Sequence, residues 1–208
     1  KQIRQWFAQH KIAAIKTSSD RLTAILNLQR MTELNPRSSD VEKWRKQIKA
    51  LKLKESQSLV ARAKEVHQSP QGGAAMLRNA LSLLAEAIRI CPDNAAAYRL
   101  RGRMQPRTKE ALEDFSKAIK LDKQDSSGWR LRGELLVKQR LNLEKALHDL
   151  NTAVALASSP RDQERARAAR AQAHFVQQNY DAAIDDLTTC IRLTDHAKYF
   201  EHRGDIYQ

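Results

Sequence analysis

Aromatic residues make up only 5% of this 208-residue chain, which also has just 6 glycines and 5 prolines. Alanine and leucine carry most of the 41% apolar content, a balance that favours helices over a β-sandwich. The two cysteines, Cys91 and Cys190, match no metal-binding spacing and stand too far apart to suggest a disulfide framework. Read as small buried hydrophobes, they point to an intracellular, reducing and cytoplasmic setting, with organellar and cytoskeletal locations left open. No apolar run approaches transmembrane length. The six histidines are scattered, and His196 and His202 lack a metal-like partner set. With no phosphate-cradling glycine loop and no nucleophile motif, neither an enzyme nor a bound cofactor is expected. The chain opens on Lys1 and closes inside a pattern still in progress, as expected for part of a larger chain or complex.

Charge, by contrast, is abundant. The formal net charge is +13, a property that bears on partners and solubility more than on fold. The excess is uneven, with about +9 in residues 1–67 and about +4 in the remainder.

The tetrapeptide Arg-Leu-Arg-Gly occurs at Arg99–Gly102 and again at Arg130–Gly133, 31 residues on. Each copy opens a longer unit. After the first come Ala111, Phe115, Ala118 and Leu121; after the second, Ala146, Leu150, Ala153 and Leu156. Steps of three and four place each set on one helix face. The same set recurs as Ala183, Leu187, Cys190 and Leu193, earlier as Ala80, Leu84, Ala87 and Ile90, and first as Ala24, Leu28, Met31 and Leu34. Each preceding helix carries a large residue and, three positions on, arginine and a small residue. These are Tyr98/Arg101-Gly102, Trp129/Arg132-Gly133, Arg167/Arg170-Ala171 and Phe200/Arg203-Gly204, with Leu59/Arg62-Ala63 upstream. The small residues let two helix backbones approach. Ser159-Pro160 supplies an N-cap with proline at the first helical position, and Ser126 or Ser127 and Asn142 can cap two further helices.

These residues, aromatic-x-x-x-Gly in a first helix and Ala-x-x-x-aromatic-x-x-Ala in a second, resemble the tetratricopeptide repeat family. The resemblance covers nearly the whole chain, strongly from about residue 74. It implies an all-α fold, a right-handed α-solenoid of stacked antiparallel helix pairs. It also implies one continuous array, with divergent repeats over 1–92 and regular repeats over 93–208, the last truncated. Within the divergent part, alternation leaves room for one helix over about 40–67, roughly 42 Å long at about 1.5 Å per residue. A break at Ser56-Gln57-Ser58 would make it two.

Two classes of arginine separate by helical phase. Arg101, Arg132, Arg170 and Arg203 share a flank with the packed small residue, and the second helices offer Asp114, Asp149 and Asp186 just before their apolar residue. The co-occurrence predicts Arg–Asp pairs stitching helices together, within a unit or to the next. Leu83 stands where the acid would face Arg62, which is therefore expected to lack such a partner.

The other class faces the groove that the resemblance implies. Its line runs Val60, Lys64, His67, Arg99, Arg103, Arg130, Glu134, Lys138, Arg165, Gln172 and Phe175, then Lys198, Glu201 and Asp205. The middle is basic and the end acidic. Such a wall would attract an acidic peptide, a carboxylate terminus or a phosphate backbone. The expected function is a non-catalytic scaffold or adaptor for a protein partner with an acidic segment. Leu100, Leu131, Ala169 and His202 occupy the positions where family members that grip chaperone tails carry asparagine, which disfavours that variant. A second basic surface comprises Lys43, Arg45, Lys46, Lys49 and Lys52, with Lys54 following. RNA, an anionic lipid surface or an acidic tail such as tubulin's could meet it; only Trp44 is aromatic there, so base stacking has little support. Two rival readings remain. An RNA-binding helical repeat would need regular base-selecting polar pairs, and the repeat part of a co-chaperone would need a His-Pro-Asp-bearing domain outside these residues.

Overall fold

The computed structural model describes residues 17–69 and 73–207. Among them are ten helices, which we number α1 (Ser18–Leu34), α2 (Val41–Gln68), α3 (Ala74–Ile90), α4 (Ala95–Met104), α5 (Thr108–Leu121), α6 (Ser126–Lys138), α7 (Leu143–Leu156), α8 (Pro160–Val176), α9 (Tyr180–Thr194) and α10 (Ala197–Ile206). The chain forms two compact units, Lys1–Arg101 and Gly102–Gln208.

Within the first unit, α2 runs unbroken for 28 residues, straight through Ser56-Gln57-Ser58. Ser56 does not break the helix because its hydroxyl is used elsewhere. It donates to Ala87 O at 2.8 Å and accepts from Asn94 Nδ2 at 2.8 Å, all in buried surroundings. That chain of bonds ties α2 to the end of α3 and the turn before α4. One position earlier, the Glu55 carboxylate is 2% exposed. It accepts from Ser18 Oγ and from Arg21 Nε, the latter at 2.6 Å. A buried carboxylate without such partners would be strongly unfavourable. The apolar floor of this unit is Ala24, Ile25, Leu28 and Leu51 at one end and Leu59, Ala87, Ile90 and Ala97 at the other. Trp44 and Ile48 pack half-buried against the first of these clusters.

In the second unit the small residues act as the register requires. A Cβ built on Gly102 would lie 2.8 Å from the Phe115 ring, and one on Gly133 would lie 2.7 Å from Leu150 Cγ. No side chain fits those gaps, so helix pairs α4/α5 and α6/α7 close on bare backbone. Ala111, Phe115 and Ala118 are buried, as are Ala146, Leu150 and Ala153, and Ala183, Leu187 and Cys190. The caps show one correction. Asp125, not Ser126 or Ser127, caps α6, its carboxylate accepting from Ser127 N; a charged acceptor at a helix N-terminus also complements the macrodipole. Asn142 and Ser159 cap α7 and α8 by accepting from Lys145 N and Asp162 N.

Burial of Cys190 has a chemical consequence. Its thiol is fully enclosed, lies 3.4 Å from Glu164 O, and is pushed up to about 11 by burial first and by the nearby Asp186 and Glu164 charges second. At pH 8 iodoacetamide should therefore modify Cys190 on the order of a hundredfold more slowly than a free thiol. Mass spectrometry of alkylation against urea concentration checks this: labelling should rise only with unfolding.

Candidate partner-binding site

The arginine stitches set the geometry on which the surface hangs. Arg132 donates through Nε and Nη2 to the two oxygens of Asp149, at 2.7 and 2.9 Å, and through Nη1 to Ser116 Oγ at 3.0 Å. One repeat on, Arg170 donates through Nε and Nη2 to both oxygens of Asp186, each at 2.7 Å, and through Nη1 to Asn151 Oδ1 at 2.8 Å. Each guanidinium thus joins three helices: a bidentate grip on the following helix and one bond back to the preceding one. The bond to Asp186 holds the Arg170 pKa above its ordinary value. The backward bond goes beyond the expected pairing, although its signal is in the sequence. Ser116, Asn151 and Thr188 each stand two residues after the repeated aspartate. Arg62, as expected from Leu83, is exposed and has no carboxylate within 4 Å among the described residues.

Another stitch has no counterpart in the sequence pattern. The Glu164 carboxylate, 6% exposed, accepts from Tyr199 Oη at 2.5 Å, with His196 Nδ1 at 3.3 Å and Lys198 Nζ at 3.6 Å. Burial by itself would raise this carboxyl; the bonds from Tyr199 and His196 and the Lys198 charge outweigh it, leaving it below the ordinary glutamate value. Burial and the same carboxylate push the Tyr199 phenol up.

With the helices so fixed, α6 presents Arg130, Glu134 and Lys138 at successive four-residue steps on one side. Arg130 is largely covered and donates to Glu134. The Glu134 charge is thereby compensated from within its own helix. Lys138 stays exposed. Two open hollows flank this row. The first is bounded by Arg103, Pro106, Phe115, Leu131, Glu134 and Lys138. The second is bounded by Glu134, Lys138 and Arg140 with Ala169, Gln172 and Val176 of α8. A third, between α8, α9 and α10, has Gln172, Phe175, Leu187, His202 and Asp205 on its walls. Glu134 and Lys138 are common to the first two, and Gln172 to the second and third. Arg103, Lys138 and Arg140 have no carboxylate within 4 Å among the described residues.

The remaining expected residues fall outside these hollows. Arg165 is exposed on α8. Lys64 and Arg99 belong to the first unit, Lys64 exposed on α2 and Arg99 half-buried. On the outer side of α2, Lys43, Arg45, Lys46, Lys49 and Lys54 are exposed and Lys52 half-buried. Glu42, in the first turn of α2, lies 4.0 Å from Arg45, both well exposed. No group of three or more histidine, cysteine, aspartate or glutamate side chains is placed to hold a metal ion among the described residues. No described helix is long and apolar enough to cross a membrane.

No protein-family model matches the chain, and no curated protein matches it by sequence. Solved structures do. MamA (residues 41 to the end) from Desulfovibrio magneticus RS-1 superposes with a TM-score of 0.60 at 21% identity, over 74% of this chain and 83% of that one. YrrB, described as a TPR protein with an unusual peptide-binding site, covers 99% of this chain and 98% of its own at TM-score 0.59 and 13% identity. TTC0263, a thermophilic TPR protein in Thermus thermophilus, covers 99% and 95% at TM-score 0.54 and 14% identity. At such identities the likeness is one of fold, and it agrees with the packed glycines, the alanine–leucine faces and the recurring Arg–Asp stitch. The chain therefore has the tetratricopeptide-repeat fold, an all-α solenoid built of antiparallel helix pairs.

Proposed function

We propose that this chain is a non-catalytic scaffold or adaptor whose second unit holds an acidic segment of a protein partner. The observation that carries this reading is the trio Arg103, Lys138 and Arg140 around hollows floored by Phe115, Leu131 and Val137. Glu134, the one acid among them, is already matched by Arg130. Three uncompensated cations over an apolar floor suit an extended peptide that alternates carboxylates with apolar side chains. The peptide-binding description of YrrB, a protein of the same fold, lends support of the same kind. The working groove is narrower than the line expected from the sequence. Arg103, Glu134, Lys138 and Gln172 belong to it with Arg140 added, while Lys64, Arg99 and Arg165 are assigned no part in it and Arg130 acts through Glu134. Buried, unpaired Cys91 and Cys190 fit a reducing, cytoplasmic setting.

Panning a phage-displayed random-peptide library against the protein tests this. Enrichment of peptides with aspartate or glutamate between apolar residues is expected, and Arg103→Glu with Lys138→Glu should weaken the selected peptides by at least tenfold. Selection of peptides without acids, or affinities unmoved by the double charge reversal, would refute the acidic-segment reading. The outer face of α2 is the second reading's basis. Its exposed cations would bind a polyanion such as RNA or an acidic tail, and Lys46→Glu with Lys49→Glu should abolish retention on immobilised heparin without affecting the peptides.

A further inference from the structure

His174 is a polar residue at a core position. It stands three residues past Ala171 on α8, as Leu136 stands three past Gly133 on α6. Leu136 is 4% exposed, within the apolar cluster that α6, α7 and α8 share. The His174 side chain is half-buried, whereas His67, His148, His196 and His202 are exposed. Its Nδ1 is enclosed and has no hydrogen-bond partner among the described residues. The nearby Asp186 carboxylate of α9 is already taken. Its Oδ2 accepts from Arg170 Nε at 2.7 Å, and its Oδ1 accepts from Arg170 Nη2 at 2.7 Å and Arg167 Nη1 at 3.2 Å.

A neutral ring meets this setting with a bare lone pair on Nδ1 and its proton on Nε2. A protonated ring would carry N–H donors on both nitrogens. One of them would be buried without a free acceptor, and the ring would bring a positive charge as well. Burial is the largest influence on the ring and opposes its proton. Asp186 of α9 favours the proton and Arg170 of α8 opposes it. Among the described residues, α6 and α7, which also pack on α8, bring no charge to bear on it. The balance holds the ring below the ordinary histidine value.

We propose that His174 makes the α8–α9 pair acid-sensitive: a proton taken up by its ring sets a second cation and an unmet N–H against the Arg170–Asp186 stitch, and the two helices loosen. The direction follows from linkage. A histidine held below its ordinary value binds its proton more readily in the unfolded chain. Its contribution to stability is therefore complete above about pH 6.5 and is lost as pH falls below it. Gln172 and Phe175, on either side of His174 along α8, line the second and third hollows, so acid acts beneath their walls. The device requires nothing of the acidic-segment reading.

Urea denaturation at pH 7.5 and at pH 5.5, on the parent, His174→Leu and His174→Gln, tests this. Leucine fills the same position in α6, and glutamine keeps a polar side chain that does not titrate, so either variant serves if the other folds poorly. From pH 7.5 to pH 5.5 the unfolding equilibrium constant of the parent should rise about threefold or more beyond the rise in the variants. Other titrating groups are common to all three proteins and cancel. Proton NMR supplies a residue-specific arm. The Cε1 proton of His174, assigned by its absence from the variants, should titrate below about pH 6.5. An equal pH response in parent and variants would overturn the proposal, as would a ring that titrates at or above that value.

Discussion

Replacing Asp149 with alanine is expected to cost about 3–5 kcal/mol of unfolding free energy, because the change strands a buried guanidinium. Asp149 is fully buried, and both of its oxygens are held by Arg132, whose side chain is itself only 12% exposed. Without the carboxylate, Ser116 Oγ is the one acceptor left to Arg132 among its observed hydrogen bonds. Arg132→Ala should destabilise in the same direction while leaving peptides selected on the basic hollows unaffected, since Arg132 lies outside them. Replacing both partners by leucine should recover most of the loss, because the penalty is that of an unpaired buried charge and not of a missing attraction. Arg62 provides the control. It occupies the same register without an acid to hold it and is exposed, so Arg62→Ala should stay within about 0.5 kcal/mol of the parent. Urea denaturation followed by circular dichroism measures all four. If Asp149→Ala unfolded at the parental midpoint, the stitch would have no energetic role.

Leu150→Ala should be comparably damaging, at about 2–5 kcal/mol, since Leu150 is fully enclosed and its removal leaves a cavity in the α6–α7–α8 core. The more diagnostic measurement couples it to Gly133. Alone, Gly133→Ala must force a Cβ to 2.7 Å from Leu150 Cγ and 3.1 Å from Ala146 O. Overpacking of this kind costs about 1–3 kcal/mol, partly offset by the roughly 1 kcal/mol that alanine gains over glycine in a helix. Combined with Leu150→Ala, the side-chain clash vanishes and the helix propensity gain remains. With only the 3.1 Å contact to Ala146 O left, the cost of Gly133→Ala should shrink markedly, a coupling that a double-mutant cycle reads directly. Additive effects would mean that the glycine is not there to admit Leu150.

Much of the fold can be read from the row of residues because its determinants are local and periodic. Ala146, Leu150 and Ala153 declare a helix face by spacing alone, and Gly133 declares where that face lands. The Arg132–Asp149 pair follows from two positions that recur together. Within the candidate site, Arg103, Glu134, Lys138 and Gln172 fall on one line by helical phase, and the structure sets them around adjoining hollows. Arg140 is absent from that line because it lies past the end of α6, in a left-handed turn (φ 51°) that no helical phase describes.

The misses share a cause. Glu55 and Glu164 are charged residues, each almost fully buried. Each is tolerated only because partners 34 and 35 residues away along the chain, Arg21 and Tyr199, reach it. Neither pair repeats, so no register marks it. At Ser56 the sequence offered a break as the rival to one continuous helix, since serine competes for backbone bonds where nothing else engages it; the helix continues because Ala87 and Asn94 engage the hydroxyl.

By itself, then, the sequence determined the class of fold, the register of the helix pairs and the Arg132 and Arg170 stitches, since periodicity at three and four residues is a local property. Tertiary structure alone decided which buried charges are satisfied and which cations around the hollows have no carboxylate beside them. Those outcomes depend on side chains brought together from distant parts of the chain, and the burial that makes them matter exists only once the helices have packed.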